Sequence, residues 1–340
     1  MKFDKCYFIA EIGLNHNGNF EIAKKSIEAA AQSGADAVKF QNFLTEDFLT
    51  DKSIMHSYKF NGKTIRRPLF DICKDSEFKR EWFPDLIAIA KENKLDFLST
   101  PTSKEGVDDL INNGISWIKN GSDFLTHIPL LRYMASKKVG IIISTGMANK
   151  LDIDNAVETI LDINPDPSKL VILHCTSSYP TRDEDVNLRK IVSLKERYGL
   201  EIGFSDHTIG WESSAQAVTL GAKIIEKHFT IDKNLNGPDH WFSSNPEEFL
   251  ALTKNVKRAE IRMGKSALMP ANSEIKTIDS WTLGVYWAKN KHIGEAVCEE
   301  DFLIKKPATE VTPIKIYDLL GKKVLQNCNA DSAIRLSDFL

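Results

Sequence analysis

Short apolar runs alternate with segments of helical periodicity from Tyr7 to Met263. The first apolar run covers residues 7–12, and residues 21–32 then carry apolar side chains at helical spacing until Gly34 ends the predicted helix. Further apolar runs lie at 37–41, 95–99, 116–119, 139–144, 170–174, 200–204 and 225–230. Further helical segments lie at 77–92, 104–112, 128–137, 150–163, 186–197, 212–220 and 246–263.

This strict alternation predicts an α/β fold with a parallel sheet. Eight strand–helix units of this length predict a closed (β/α)₈ barrel over residues 1–264. The alternative is an open, doubly wound sheet, which usually carries a glycine-rich dinucleotide fingerprint after its first strand. Gly13 and Gly18 do not have that spacing, so the pattern favours the barrel.

Two parts of the chain depart from the alternation. Residues 42–75 are predicted to be a long irregular segment with a turn at Asn61-Gly62, and a loop of that length is usually functional or mobile. Residues 265–280 have weak periodicity and are predicted to be a linker. Residues 281–340 are predicted to form a small, mostly β domain, with β-like runs at 283–288, 296–297, 302–304 and 323–325 and a helical turn near 316–320.

Composition and charge exclude several classes of protein. The chain has 340 residues, of which 42% are hydrophobic, so it can build a large core and a second small one. Its net charge of −3, with acids and bases intermixed, argues against a nucleic-acid partner. No apolar run approaches the roughly 20 residues that cross a bilayer, so no membrane association is expected. Five scattered cysteines and a start without a signal-type apolar region predict a reduced, cytoplasmic protein.

Polar side chains follow the apolar runs, at the ends where a barrel carries its active site. Serine or threonine at such positions can simply cap the following helix. Lys39 and Lys119 have no such explanation, because a lysine on an inner strand end needs an anionic partner. Two lysines among several hydroxyls predict a site for a small dianion, such as a phosphate ester that also carries a carboxylate.

Two histidines end the last two strands of the predicted barrel. His207 and His228 each follow a polar residue two positions upstream, Ser205 and Glu226 respectively. Neighbouring parallel strands would bring the two rings together, where they could hold a divalent metal. With Glu11 expected across the barrel, the set suits addition to a metal-polarised carbonyl. The alternative is that each histidine is an ordinary buried or surface residue.

These strand-end segments resemble those of the sialic acid (nonulosonic acid) synthase family, which condenses phosphoenolpyruvate with N-acetylmannosamine or a related acylamino sugar. The matching segments span the whole predicted barrel in order. They are Ala10-Glu11-Ile12-Gly13, Asn15-His16-Asn17-Gly18, Val38-Lys39-Phe40-Gln41, Ser99-Thr100-Pro101, Ile118-Lys119-Asn120-Gly121-Ser122, Ser144-Thr145-Gly146-Met147, His174-Cys175-Thr176, Tyr179-Pro180, Ser205-Asp206-His207-Thr208, Glu226-Lys227-His228-Phe229-Thr230 and Gly237-Pro238-Asp239. The segment after Trp281 is similar to the family's C-terminal antifreeze-like (SAF) domain.

The resemblance implies a role for each strand-end residue. His207 and His228 would hold Mn²⁺, with Mg²⁺ or Co²⁺ as alternatives, and Glu11 and Glu226 would join them in catalysis. The remaining residues would bind substrate: Lys39, Thr100 and Ser205 the carboxylate of phosphoenolpyruvate, Lys119, Ser122, Ser144 and Ser177 its phosphate, and Glu11, Gln41, Tyr179, Asp239 and Lys306 the sugar. The resemblance also implies a domain-swapped homodimer in which each small domain covers the partner's barrel, and release of phosphate with C–O cleavage.

The chain departs from the family pattern at two predicted contacts. Ser177 stands where many members have asparagine. Lys306, in Lys305-Lys306-Pro307-Ala308-Thr309, stands where the family usually has the arginine of an Arg-Pro-Gly-x-Gly loop. The sequence leaves three other interpretations open: a phosphate- or sugar-binding barrel that has lost catalysis, a barrel metallohydrolase, and a small domain that acts as an independent carbohydrate-binding module. The metallohydrolase is disfavoured because Asn15-His16-Asn17 lacks a His-x-His pair.

Overall fold

The structure is a computed structural model that describes residues 4–339. The chain forms two compact units, and the boundary between them lies between Gly264 and Lys265. None of the helices among residues 4–339 has both the length and the apolar character needed to span a membrane.

The first unit is built on an eight-stranded parallel sheet. Its strands are β1 (Tyr7–Gly13), β2 (Ala37–Asn42), β5 (Asp96–Pro101), β6 (Trp117–Asn120), β7 (Gly140–Ser144), β8 (Leu170–Cys175), β9 (Glu201–Asp206) and β10 (Ile224–His228). The order around the sheet is β5-β2-β1-β10-β9-β8-β7-β6. Strands β5 and β6, at the two ends of this order, lie side by side and bring the sheet to near closure. The predicted (β/α)₈ barrel is therefore confirmed.

Helices follow the barrel strands and pack on the outside of the sheet. They are α1 (Phe20–Gln32), α4 (Phe83–Glu92), α5 (Lys104–Asn112), α6 (Ile128–Ser136), α7 (Lys150–Ile163), α8 (Arg189–Tyr198), α9 (Glu212–Thr219) and α10 (Pro246–Met263). Capping explains where the longest ones begin: Asn149 and Asn245 form capping boxes with Asp152 and Glu248. Helix α8 starts three residues later than predicted, after a 3₁₀ turn at Asp183–Asp185.

The period-2 alternation of strand side chains creates two apolar layers. One lies between sheet and helices and includes Phe8, Phe40, Phe83 and Phe204. The other fills the lower barrel interior and consists of Ile9, Ala37, Leu98, Trp117, Ile142, Val171, Leu173 and Ile224, with half-buried Tyr7 packed against it. On most strands, the inward-facing residue two positions after this inner apolar layer is polar. The same alternation that fills the lower barrel interior with apolar side chains therefore directs polar side chains into its upper end.

The prediction that residues 42–75 are irregular is wrong. The segment contains a short helix α2 (Thr45–Phe48), an antiparallel hairpin of β3 (Met55–Phe60) and β4 (Lys63–Pro68), and a helix α3 (Leu69–Asp75). Asn61 and Gly62 both have positive φ and form the hairpin turn, as predicted. Sequence patterning does not reveal this hairpin because its strands lack apolar alternation: their side chains are exposed or half-buried, except Tyr58, which is buried.

The second unit has little regular structure. It contains α11 (Ile275–Trp281), β11 (Gly284–Trp287), β12 (Phe302–Lys305) and α12 (Ile316–Leu319), with β11 antiparallel to β12. Helix α11 begins inside the segment predicted as a linker. The predicted strands at 296–297 and 323–325 pair only through the isolated bridge Ala296–Lys323. A separate core holds the unit together, with Trp287 fully buried among Val285, Val297, Val311, Ile316, Leu319, Val324, Cys328 and Ile334.

Candidate active site

The carboxyl ends of the barrel strands surround a cavity of about 440 Å³. Thirteen of the predicted site residues line it: Glu11, Lys39, Gln41, Thr100, Lys119, Ser122, Ser144, Ser177, Tyr179, Ser205, His207, Glu226 and His228. Asp239 lines a smaller adjoining cavity. Lys306 belongs to the second unit, where its Nζ lies 4.6 Å from the ring centre of Trp281.

A chain of buried charges crosses the floor of the cavity. Lys39 Nζ lies 2.8 Å from Glu11 Oε2 and 3.7 Å from Glu226 Oε2, and Lys119 Nζ lies 4.0 Å from Glu226 Oε1. All four side chains are nearly inaccessible to solvent. The carboxylates thus supply the anionic partners that buried lysines require in the absence of substrate.

Burial and neighbouring charges shift the pKa values of Glu11 and Glu226 in opposite directions. Burial raises the pKa of Glu11, and the nearby Lys39 only partly offsets it. Burial also opposes ionisation of Glu226, but Lys119 and Lys39 outweigh it and hold the Glu226 pKa below its usual range. The two carboxyl groups in this cavity therefore differ in protonation: Glu226 stays ionised, while Glu11 more readily holds a proton.

Hydroxyl groups complete the surroundings of each lysine. Lys39 Nζ donates to Thr100 Oγ1 at 3.1 Å. Lys119 Nζ donates to Ser144 Oγ at 2.6 Å and to the Asn120 carbonyl at 3.0 Å. Burial lowers the pKa of Lys119. An incoming anion would restore the preference for its charged form.

A small cradle lies beside Lys119, where β7 leads into the following loop. The Gly146 N–H donates to Ser122 Oγ at 3.0 Å. A Cβ atom at Gly146 would collide with the Ser177 hydroxyl and lie 2.8 Å from Ser122 Oγ, so only glycine leaves this space open. Ser177 Oγ is buried without a hydrogen-bond partner among the described residues. A buried hydroxyl without a partner in an open cradle fits an oxygen-rich ligand such as phosphate.

Glu11 is aimed into the cavity by a local irregularity in β1. The pairing of β1 with β2 shifts register between Glu11 and Gly13, and Gly13 has φ of +51°. A Cβ atom there would lie 3.0 Å from Glu11 Oε1. Gln41 Nε2 donates to the same oxygen at 2.8 Å. The bulge and the missing side chain together leave room for the carboxyl group.

The prediction that Glu11 lies across the barrel from the histidines is wrong. Strand β1 pairs with β10, and Glu11 is in register with His228. Near-closure of the sheet places the first and last barrel strands side by side, so Glu11 and His228 come from adjacent strands. The Glu11 carboxyl group therefore belongs to the same side of the cavity as the histidine pair.

His207 and His228 lie next to each other, with ring centroids 5.4 Å apart. The Thr176 carbonyl lies 2.8 Å from His207 Nδ1 and orients this ring with Nδ1–H donating, while His207 Nε2 faces Ser205 Oγ at 3.4 Å. Burial opposes the charged form of His207, but Cys175 and the Thr176 carbonyl outweigh it and raise the His207 pKa. His228 Nδ1 is buried without a hydrogen-bond partner among the described residues. Burial, assisted by His207, lowers the His228 pKa well below its usual value and favours the neutral ring, the form that binds metals.

The histidine pair fits a divalent ion that takes few ligands from the protein. Among residues 4–339, no group of three or more His, Cys, Asp or Glu side chains is arranged to hold a metal. An ion on two imidazoles would leave its other coordination positions to water or substrate oxygens. The donor set is therefore compatible with the predicted metal, while metal binding and the identity of the ion both stay predictions.

Aromatic rings connect the histidines to the smaller cavity. The Tyr179 ring centroid lies 4.2 Å from that of His207 and 5.4 Å from that of Phe242. Asp239 Oδ2 lies 3.8 Å from His228 Nδ1. Burial, then Glu11, raises the pKa of Asp239 to about 7. Tyr179 and Asp239 are thus placed where a molecule bound at the histidines would extend.

Some cavity residues were not singled out by sequence reasoning. Cys175 follows the inward residue Leu173 by two positions, so strict use of the period-2 pattern would have found it; its Sγ lies 3.8 Å from His207 Nδ1. Phe48, Leu69 and Cys73 come from the 42–75 segment, for which the sequence carried no placement signal. Conversely, His174 faces away from the cavity, with Nε2 2.6 Å from the Val186 carbonyl.

The sequence matches one family model over most of the barrel. The model of the NeuB family matches residues 26–267. The chain belongs to the NeuB family.

Relatives of this NeuB chain cover almost its whole length. The N,N'-diacetyllegionaminic acid synthase of Legionella pneumophila is 35% identical over 332 residues, covering 97% of this chain and 93% of that protein. The enzyme of the same name from Campylobacter jejuni is 36% identical over 331 residues, covering 97% and 99%. A solved structure of N-acetylneuraminic acid (sialic acid) synthetase from Leptospira borgpetersenii has 32% identity and a TM-score of 0.73, covering 81% of this chain and 91% of that one. These matches confirm the family inferred from the strand-end motifs.

Proposed function

We propose that this NeuB-family protein is a nonulosonic acid synthase that condenses phosphoenolpyruvate with an acylamino sugar and releases phosphate. One observation carries the proposal: two buried lysines and an open hydroxyl cradle share a cavity with a pair of adjacent histidines. The names of the matched relatives, two N,N'-diacetyllegionaminic acid synthases and a sialic acid synthetase, support the same reaction class.

In the proposed complex, each of the two lysines binds a different anionic group of phosphoenolpyruvate. Lys39, with Thr100 and Ser205 nearby, would bind the carboxylate. Lys119 and Ser144 would bind the phosphate, which the cradle of Ser122, Gly146 and Ser177 would complete. The 2.6 Å bond between Lys119 Nζ and Ser144 Oγ supports this assignment, because it holds a cation and a hydroxyl ready on one side of the cradle.

We further propose that His207 and His228 hold the metal, with Mn²⁺ favoured and Mg²⁺ or Co²⁺ as alternatives. When bound, such an ion polarises the carbonyl group of the open-chain sugar. The chain itself fixes the ligand geometry through the Thr176 carbonyl, which orients His207. Tyr179 packs against both rings and limits the access of water to them.

The two carboxyl groups take different roles in the proposed reaction. The methylene carbon of phosphoenolpyruvate attacks the sugar aldehyde, which leaves a cationic carbon at the centre of the former enol phosphate. Glu226, held ionised between the lysines, stabilises that positive charge. Glu11, whose pKa is raised, gives its proton to the aldehyde oxygen during this attack and then, as a carboxylate, takes one proton from the water that adds to the cationic carbon. The C–O bond to the phosphate then breaks, the bridging oxygen leaves with the phosphate, and the new hydroxyl loses its proton to that phosphate to give the ketone of the sugar acid.

Phosphate release tests the proposal directly. The purified full chain with Mn²⁺ and phosphoenolpyruvate should release phosphate when N-acylated mannose-type sugars are added, and Lys119→Met should abolish that release because the phosphate loses its cation. Sugar binding without phosphate release, across a panel that includes the 6-phosphates, would instead support a binding protein that has lost catalysis.

The proposal includes a homodimer in which the small antifreeze-like unit of one chain contributes to the barrel of the other, as the family resemblance implies. Light scattering gives the mass in solution. Complementation tests whether the small unit of one chain contributes to the other chain's barrel. A mixture of the Lys119→Met variant with a chain truncated after Asn272 should recover activity that neither has alone. A monomer with full activity would contradict this part of the proposal.

A further inference from the structure

A second cavity, of about 380 Å³, lies outside the proposed active site. Its walls come from the β3–β4 hairpin, helix α3, the loop after β1 and the loop after β10. The residues that line it are Asn17, Tyr58, Arg67, Ile72, Asp75, Ser76, Asn236, Gly237 and Pro238. None of these nine described residues lines the main cavity, so a molecule bound here would leave the catalytic cavity free.

Close backbone packing and hydrogen bonds fix the walls of this second cavity. A Cβ atom at Gly18 would collide with the Asp75 carbonyl oxygen, so only glycine lets the loop after β1 approach the end of α3. The Tyr58 hydroxyl donates to Asn236 Oδ1 at 3.1 Å, and Asn17 Nδ2 donates to the Asn236 carbonyl at 3.0 Å. The hairpin and the loop after β10 therefore meet at Asn236, and the cavity has a defined shape before any ligand enters.

Polar groups in the second cavity have hydrogen-bonding capacity that the protein does not use. Ser76 is only 3% exposed, yet its hydroxyl makes no hydrogen bond to another described residue. The amide N–H groups of Asn236 likewise donate to none of the described residues, although its two oxygens both accept. Because buried polar groups are normally hydrogen-bonded, these groups indicate a polar occupant.

Arg67 and Asp75 are the charged residues among the described residues that line the second cavity. Arg67 Nη2 lies 2.7 Å from Asp75 Oδ2, and the two side chains are 38% and 64% exposed. Such an exposed pair contributes little to stability, so Asp75 can turn into solvent at small cost. The planar guanidinium group would then offer its paired N–H groups to the carboxylate of a ligand.

We infer that the second cavity binds a hydroxylated sugar acid, with Arg67 holding the carboxylate and with Ser76 and Asn236 donating to hydroxyl or acyl oxygens. The inference rests on the proposed function in one respect: the proposed product belongs to this chemical class. A carboxylate is favoured over a phosphate because a single arginine, with no second cation lining the described walls, matches one negative charge on a planar acid.

The position of the second cavity connects it to turnover. Tyr58, Ile72 and Pro238 line both this cavity and the smaller cavity that adjoins the active site, so they form the partition between the two. An acid in contact with Arg67 on the hairpin and Asn236 on the loop would fasten that partition. The bound acid should therefore slow turnover without competing with phosphoenolpyruvate.

Calorimetric titration of the Mn²⁺-loaded full chain tests the site, with N-acetylneuraminic acid as the probe and phosphoenolpyruvate present to occupy the catalytic cavity. The acid should bind, and its uncharged methyl ester should bind at least about tenfold more weakly. Arg67→Lys should weaken binding of the acid at least about tenfold, because lysine lacks the planar fork. Asp75→Asn should tighten binding, because the competing carboxylate is gone. Arg66→Lys, at an exposed residue outside the cavity, is the matched control and should bind as the parent chain does.

Several outcomes would overturn the inference: equal affinity for acid and ester, unchanged affinity in both cavity variants, or tighter binding of inorganic phosphate than of the acid. In steady-state kinetics the acid should lower kcat at saturating substrates, and Arg67→Lys should weaken this inhibition. Inhibition that saturating phosphoenolpyruvate abolishes would instead place the acid in the catalytic cavity. If no sugar supports phosphate release, the proposed function fails, while the titrations of the two cavity variants still decide this inference.

Discussion

Lys227 Nζ lies 3.0 Å from Asp206 Oδ2, and both side chains are almost completely buried, with exposures of 3% and 0%. The two residues are in register on β10 and β9, on the outer face of the barrel. Asp206 also accepts from Ser214 Oγ and from the Thr208 N–H and hydroxyl, while Lys227 donates to the Thr208 carbonyl. The pair joins the two strands at the level where their inner faces carry the histidines.

Breaking this pair should destabilise the barrel and loosen the histidine site. Asp206→Asn or Lys227→Met should each lower the free energy of unfolding by about 3–5 kcal/mol, because each leaves one buried group without its partner. The double variant should recover part of that loss, since both charges are then gone. Urea denaturation measures both. Removing the exposed Lys305–Asp331 pair is the matched control and should change the free energy of unfolding little. Equal losses at the two pairs would contradict the view that the buried Lys227–Asp206 pair stabilises the barrel.

Removal of either histidine should abolish metal binding while the fold persists. His207→Ala or His228→Ala takes away one of the two proposed ligands, so Mn²⁺ affinity measured by calorimetry should fall below detection and phosphate release should cease. His292→Ala, which removes an exposed histidine of the second unit, should affect neither. A chelator should inactivate the parent protein reversibly, and full turnover in metal-free buffer would refute the metal role.

The proposed chemistry fixes the fate of one oxygen atom. Because water adds to the central carbon, the bridging oxygen of phosphoenolpyruvate leaves with the phosphate. Substrate labelled at that oxygen with ¹⁸O should therefore give labelled phosphate, which mass spectrometry detects. Label retained in the sugar acid would mean P–O cleavage and a different mechanism.

Lys306 should contribute modestly to sugar binding. A lysine offers a compact ammonium group on a flexible stem, unlike the planar fork of the arginine that the family usually has here. Lys306→Ala should therefore raise KM for the sugar several-fold and leave KM for phosphoenolpyruvate nearly unchanged in steady-state kinetics. Truncation after Asn272 should be far more damaging. A change in KM for phosphoenolpyruvate alone would contradict the placement of Lys306 beside the sugar.

Stability should fall on acidification because of His16. This ring is fully buried among Phe40, Phe78 and Trp82, and burial, assisted by His240, lowers its pKa from 6.5 to about 4. Between those values the unfolded chain binds the proton and the folded chain does not, so stability is lost as pH falls from about 6.5 towards 4.

The expected contribution of His16 is roughly 3 kcal/mol over that range. His16→Asn keeps a side-chain acceptor for the Gly18 N–H but does not titrate, so its stability should vary less with pH. Urea midpoints measured at intervals from pH 7 to pH 4 give the comparison. Parallel pH profiles for the two proteins would show that other groups control the acid response.

The amino-acid sequence by itself determined the barrel and most of the site. Strand–helix alternation is a local signal, and parallel strands carry their polar ends to one rim whatever their order. That is why Lys39, Lys119, His207 and His228 could be placed in one cavity from spacing alone. The same period of two, applied beyond Leu173, also points to Cys175.

Only the tertiary structure decided which of these residues are neighbours. Near-closure of the sheet pairs β1 with β10, so Glu11 lies beside His228, and the later 238–242 loop brings Asp239 to the same ring. The structure of the 42–75 segment is not predictable from patterning, because an exposed hairpin lacks the alternation that a buried face imposes. Such contacts join residues far apart in the chain, and their energy depends on burial and packing that exist only once the barrel has formed.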